Sequence, residues 1–313
     1  MRDYCCETGD LAFGREVWPM VVKNLEGALQ TIDSDTGLYR SLNWNLFDWS
    51  KTDCEHPILV QNSMFLVGAL SAAIDLGELL GEPVEAYREQ RTDLKNAVNA
   101  VWDSRRLAWP DSIHADGTVS EDVSMHTSAL ALLYDIASPE IEAAVRTNTV
   151  TPRPGLIRIG SPFAAFYLYE TFEKIGMQDE ILKAIYRDYL PMLQLGSSTV
   201  WETFPNALNT GEFPTRSHCH GWSAAPLYFL PRLVLGILPV APGSMKFQIS
   251  PRVNGLEYAS GARPTIHGRI ETGWEKRGDK LFITAKAPHG VELEYLRNDT
   301  HNDLEVYFNG NPV

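Results

Sequence analysis

From residue 14 to about 237, apolar side chains recur at three- and four-residue steps, with Gly, Pro and Asp marking the breaks between runs. That spacing puts the apolar groups on one face of a 3.6-residue helix. The pattern predicts helices near 14–31, 57–80, 84–103, 122–137, 138–148, 162–176, 178–195 and 218–236. Pro57 and Pro162 stand where a first-turn proline belongs, because the N–H that proline lacks would have no partner there. Ser138-Pro139-Glu140 reads as an N-cap followed by another such proline.

Past "GILPVAPG" the period changes. "MKFQISP", "PTIHGRIETGWEKRGDKLFITAKAP", "GVELEYL" and "LEVYFNG" are short, roughly alternating runs rich in Val, Ile, Phe and Tyr, separated by turn residues. Within them "EKRGDKL" is the tip of a hairpin, its Arg-Gly-Asp a turn and not an adhesion motif. The predicted architecture is mainly α with a β tail: a helical domain over 1–238 and a small β-sandwich over 239–313.

The 313 residues, 44% hydrophobic and 10% aromatic, suffice for a well-filled core. A formal net charge of -13, with no basic stripe, argues against nucleic acid or an anionic membrane as partner. "PLYFLPRLVLGILPVAP", taken as the longest kind of apolar run, is broken by Pro and Arg and falls short of the roughly 20 residues of a membrane span. The first residues, MRDYCCETGD, lack the apolar stretch of a signal peptide, so the chain is cytoplasmic if Met1 is the true start. Cys5, Cys6, Cys54 and Cys219 have no CxxC spacing and read as free thiols.

Aromatic and polar residues gather in the loops at helix ends: "NWNLFDWSKTD", "SMHTSAL", "GSPFAAFY", "TVWETF" and "SHCHGWS". Apolar platforms with a few polar groups suit a sugar, whose C–H faces stack on rings while carboxylate, His and Asn hold its hydroxyls. Trp44, Trp49, Trp201 and Trp222 all fall in these loops, and Glu202 lies between Trp201 and Phe204. A carboxylate so placed suits general acid–base work. His218 and His220 are two apart with no third ligand at a recognisable spacing, so no metal is expected, nor any cofactor. Glu7 and Asp10 are expected to stabilise the N-terminus of the helix starting near residue 14.

Taken in order, the runs "YCCETGDLAFGREVWP", "LFDWS", "GSPFAAFYLYETFEKIG", "MLQLGSSTVWETF", "SHCHGWSAAPLYFLPRLVLGI" and "PTIHGRI" resemble the α-L-rhamnosidases of glycoside hydrolase family 78. The resemblance runs nearly end to end and is most specific from Ser198 to Ser223. It implies an (α/α)6 barrel followed by a β-sandwich, and hydrolysis of terminal α-L-rhamnosyl bonds in a glycoside or oligosaccharide, with inversion and no cofactor. By that likeness Glu202 matches the general base, His220 a sugar-binding histidine and Trp49 a wall of the −1 subsite. Asp48, Phe163, Trp201 and Trp222 are further substrate contacts by proximity to the motifs. An aromatic patch also suits the methyl group of a 6-deoxy sugar.

Inversion needs two carboxyl groups roughly 6.5–9.5 Å apart. The family's general acid lies in an acid-rich stretch resembling D..REERLGW.GD, upstream of the segment that "RDYCCETGD" matches, and this chain has no equivalent. Only about eight helices can be placed, too few to close six hairpins. The expectation is therefore an incomplete barrel that holds the base and lacks the acid, with apolar helix faces left in water. A non-catalytic carbohydrate-binding remnant, or a related hydrolase for another sugar, are the alternatives.

Overall fold

A computed structural model describes residues 1–41, 43–45, 48–205 and 215–313. Leu46 and Phe47 of the "LFDWS" run and Asn206, just past "TVWETFP", lie outside the described residues. The chain divides into two compact units, residues 17–224 and residues 1–16 with 225–313.

It opens with helices α1 (Arg2–Thr8) and α2 (Leu11–Leu29). The helical unit continues through strand β1 (Ile58–Leu59), α3 (Val60–Leu80), α4 (Glu85–Ala100), strand β2 (Ser112–Ile113), α5 (Met125–Leu133), α6 (Glu142–Val150), α7 (Pro162–Lys174) and α8 (Gln178–Gln194). Consecutive helices pack as hairpins, α3 on α4, α5 on α6 and α7 on α8. α3 carries apolar residues on nearly every side and is buried accordingly, with Val60, Met64, Val67 and Leu70 in the core. It alone among the described helices is long and apolar enough to cross a membrane, a run that the sequence reading passed over. Leu94 and Val98 of α4, Trp109 and Leu130 of α5 close the same core, and the Trp109 indole donates to the Val98 carbonyl at 2.8 Å.

Several element boundaries differ from the expected ones for local reasons. The helix predicted from Pro57 starts at Val60, because Ile58 and Leu59 pair antiparallel with Ile113 and Ser112. Ser138 opens a turn whose carbonyl accepts from Ile141 and Glu142, and regular helix follows from Glu142. Ser161 stands at the N-cap position of α7, with Pro162 in its first turn and its hydroxyl turned to Asp48. The long helix predicted over 218–236 is a 3₁₀ turn, Gly221–Ala224, followed by α9 (Ala225–Leu233). α1 was not anticipated, and it corrects the reading of Glu7. That side chain belongs to α1 and pairs with Arg263 at 2.7 Å, whereas Asp10 does accept from the Phe13 amide in the first turn of α2.

The second unit is a two-layer β structure built from β3 (Ile237–Pro239), β4 (Lys246–Ile249), β5 (Tyr258–Thr265), β6 (Gly268–Arg277), β7 (Lys280–Lys286), β8 (Glu292–Tyr295), β9 (Glu305–Phe308) and β10 (Asn311–Pro312). One sheet runs β10-β9-β7-β6-β5 and the other β3-β4-β8. Phe247 and Ile249 of the smaller sheet meet Ile270, Trp274, Leu281, Ile283 and Val306 of the larger across the shared core. Arg277 pairs with Lys280, so Gly278-Asp279 is a two-residue hairpin turn, and Gly278 adopts the positive φ of 64° that such a turn needs.

On the helices, Met20, Tyr186 and Leu193 leave most of their side chains in water. Inside the helical unit, Asp111 is fully buried. Burial pushes its carboxyl up to about 6, against the smaller opposing influence of Ser124 and His126. The folded chain thus holds a proton that the unfolded chain releases between about pH 4 and pH 6. Stability should fall as pH rises through that window, by on the order of 2–3 kcal/mol. Asp111→Asn should flatten this slope, measured as urea-unfolding free energies at about pH 4.5 and about pH 7.5; an unchanged slope would refute the account.

Candidate active site

The site is assembled around a carboxylate that faces inward. Asp48 has no side-chain exposure, and its two oxygens accept from four donors. These are the Trp49 amide at 2.7 Å, the Gly160 amide at 2.8 Å, His126 Nε2 of α5 at 2.7 Å and the Ser161 hydroxyl at the cap of α7. A buried charge is tolerated when hydrogen bonds replace its water, and here all of them come from the protein. The structure encloses Asp48, expected to touch substrate, with its oxygens accepting from the loop and the helix ends around it.

Gly160 sits at the meeting point. A Cβ there would come 1.8 Å from the Trp49 carbonyl oxygen, so only glycine lets the two backbones approach this closely. The Gly160 carbonyl in turn accepts from the Phe204 amide at 3.0 Å, which ties the loop bearing Glu202 to the loop bearing Trp49.

Glu202 lies in a bend whose backbone is fixed by hydrogen bonds. Its amide donates to the Ser217 carbonyl at 3.0 Å, and its carbonyl accepts from the Trp222 indole at 2.9 Å. The neighbouring His220 amide donates to the Val200 carbonyl at 2.9 Å, and Thr203 is held by the Thr215 hydroxyl. The carboxylate keeps 14% of its side-chain surface open, enough to reach a small molecule.

Beside it stands an aromatic row. The His220 ring lies 4.0 Å from Trp222, tilted by 32°, and Trp222 lies 5.3 Å from Phe163, which meets Tyr167 edge-on. All three expected residues of this row are partly exposed. Trp201 is not part of it: at 4% exposure it packs inward, edge-on to His218, and serves the loop's own core. Behind Phe163 and His126 is an apolar cavity of only about 10 Å³, too small for a sugar ring.

Arg216, which the sequence reading missed, joins the two sides. Its guanidinium lies 3.9 Å over the Trp49 ring, and its Nε is 3.6 Å from Glu202 Oε1. Trp49 and Glu202 thus share one cation between ring face and carboxylate. The only hint in the sequence was its place directly before "SHCHGWS". Asp53, four residues past Trp49, is held by His56, His114 and Ser112. Burial acts to raise its carboxyl, but hydrogen bonds from Ser120, His114 and Ser112 and the charge of His56 bring it down to about 2.

Residues 2–234 match the model of the bacterial alpha-L-rhamnosidase 6 hairpin glycosidase domain, and residues 236–307 that of the bacterial alpha-L-rhamnosidase C-terminal domain. The chain belongs to the bacterial α-L-rhamnosidase family. The crystal structure of a family 78 rhamnosidase from Bacillus sp. GL1 superimposes with a TM-score of 0.92 and 35% identity, covering 98% of this chain and 33% of that one. The fold is shared with the Streptomyces avermitilis α-L-rhamnosidase solved with L-rhamnose, at TM-score 0.70 and 19% identity over 93% of this chain and 28% of that one. An α-L-rhamnosidase of Formosa agariphila is 22% identical over 271 residues, 82% of this chain and 28% of its own length. The chain therefore spans about a third or less of these rhamnosidases.

The close approach at Gly160 generates a test. Gly160→Ala in this rhamnosidase-family chain should lower stability by more than about 2 kcal/mol and alter the near-ultraviolet circular dichroism of the tryptophans, because the Trp49 carbonyl must move. Unchanged thermal unfolding and unchanged tryptophan signal would contradict the packing described.

Proposed function

We propose that this chain carries the water-activating base and part of the sugar wall of an inverting α-L-rhamnosidase acting on terminal α-L-rhamnosyl groups. The observation that carries the reading is Glu202, partly open to solvent, beside Arg216 and next to a row of rings formed by His220, Trp222 and Phe163. In this scheme Glu202 takes a proton from water as that oxygen attacks the anomeric carbon. Trp49 and the row of rings offer apolar faces to the 6-deoxy sugar, and His220 offers a polar edge to a hydroxyl. Asp48 acts at one remove, by fixing Trp49 and the start of α7.

The reading assigns the general acid to residues beyond these 313. Supporting this, the carboxylates flanking Trp49 are committed elsewhere, Asp48 to four donors and Asp53 to two imidazoles and two serines. Asp111, whose carboxyl is raised, is sealed in the core and out of reach of a glycosidic oxygen. Without the acid, departure of the aglycone is unassisted.

The chain alone should hydrolyse an aryl α-L-rhamnoside little or not at all. Extended upstream to the length of its relatives, it should turn over, and Glu202→Gln should then lower kcat by on the order of 10²–10⁴-fold. Steady-state kinetics with a chromogenic rhamnoside decide the matter. A loss below about tenfold would remove Glu202 from the role, and robust turnover by the 313-residue chain would return the search for the acid to its own carboxylates.

A further inference from the structure

Behind Trp49 the structure gathers a second set of polar side chains that the sugar site does not use. Asp53 and His56 lie on the segment leading into β1, and His114 follows β2 directly. His56 Nε2 is 2.8 Å from Asp53 Oδ1, and His114 Nε2 is 2.8 Å from Asp53 Oδ2. The two imidazoles stack at 3.6 Å with 15° between their planes, so both present an edge nitrogen toward the one carboxylate. Ser112 donates to Asp53 Oδ2 at 3.0 Å and fixes the carboxylate's orientation. The three side chains are each about a quarter exposed, open enough for an ion to enter from water.

We propose that Asp53, His56 and His114 form a binding site for a divalent transition metal of the zinc class, tying residues 53–56 to the β1–β2 ladder. One ligand atom from each residue lies within 4.8 Å of the others. Two imidazoles with one carboxylate favour zinc, cobalt, nickel or copper over calcium or magnesium, which prefer all-oxygen sets. The donors are preorganised by two separate segments of the chain. The pairing of Ile58 with Ile113 and Leu59 with Ser112 sets where His56 and His114 emerge, and the Ser112 hydroxyl supplies the outer hydrogen bond that orients a ligating carboxylate.

On binding, each neutral imidazole carries its proton on Nδ1 and gives the Nε2 lone pair to the metal, so the ion replaces two hydrogen bonds to Asp53. Metal–ligand bonds of about 2.0–2.2 Å require donor atoms about 3.3 Å apart in a tetrahedral site, so each imidazole nitrogen and the Asp53 carboxylate must separate by about half an ångström from their 2.8 Å contact. Three protein ligands leave a position for water. The hydrolysis proposed at Glu202 does not call for this ion; its effect is to stiffen the segment that follows Trp49.

The test uses the whole chain, stripped with a chelator and titrated with Zn²⁺ by calorimetry and with Co²⁺ by visible absorption. One equivalent should bind, the cobalt form should show the strong d–d bands of four- or five-coordination, and zinc should raise the thermal midpoint. His56→Gln and His114→Ala should each weaken binding at least tenfold, while His218→Ala should leave it unchanged. If His114→Ala does not fold by circular dichroism, His56→Gln alone decides. Absence of stoichiometric binding, or binding that survives His56→Gln undiminished, would overturn the proposal and leave the cluster as a hydrogen-bonded triad. Either result is independent of the rhamnosidase reading, because no sugar enters the measurement.

Discussion

The arrangement of the candidate site depends on the burial of one negative charge, that of Asp48. An ionised carboxylate out of water costs several kcal/mol unless donors surround it, and a site that must supply four donors leaves the chain few ways to fold around it. Here they arrive from three places distant in sequence: the Trp49 amide, the first helical turn of α5 through His126, and the Gly160-Ser161 entry to α7. Glu202 is then placed by one further step, the Phe204 amide on the Gly160 carbonyl. The rings and the Glu202 carboxylate thus take their positions from a group that is itself shut off from solvent.

Arg216 adds an electrostatic link on the open side. Its contact with the Trp49 ring and the Glu202 carboxylate sets a positive charge where the two loops face each other. A guanidinium suits this double duty, since its flat face stacks on an indole while its edge keeps N–H groups for an anion. On the proposed reading, a sugar ring stacking on that face of Trp49 would have to displace Arg216.

The broad architecture was legible because it rests on local signals. The 3.6-residue apolar period, the Ser161-Pro162 start of α7 and the alternation with a Gly-Asp turn at 278–279 each act over a few residues. The expectations that failed depended on distant partners. Pro57 read as a helix start, yet the pairing of residues 58 and 59 with 113 and 112 takes that backbone for a strand. Asp48 and Trp201 shared a motif with surface groups, and only the packing of α5 and α7 and the contact with His218 turn them inward. The triad of Asp53, His56 and His114 spans two separated segments, so no spacing in the sequence announces it. Arg216 was equally silent, since a lone arginine in a polar loop has no pattern at all.

The hydrogen bonds of the Glu202 loop to Ser217 and Trp222 run through the main chain of Glu202, and the side chain adds only the looser 3.6 Å approach to Arg216. Loss of the carboxylate therefore leaves the folding of the loop and the row of rings intact. On the proposed reading, loss of that one carboxylate would end turnover and leave the row of His220, Trp222 and Phe163 in place as a binding face.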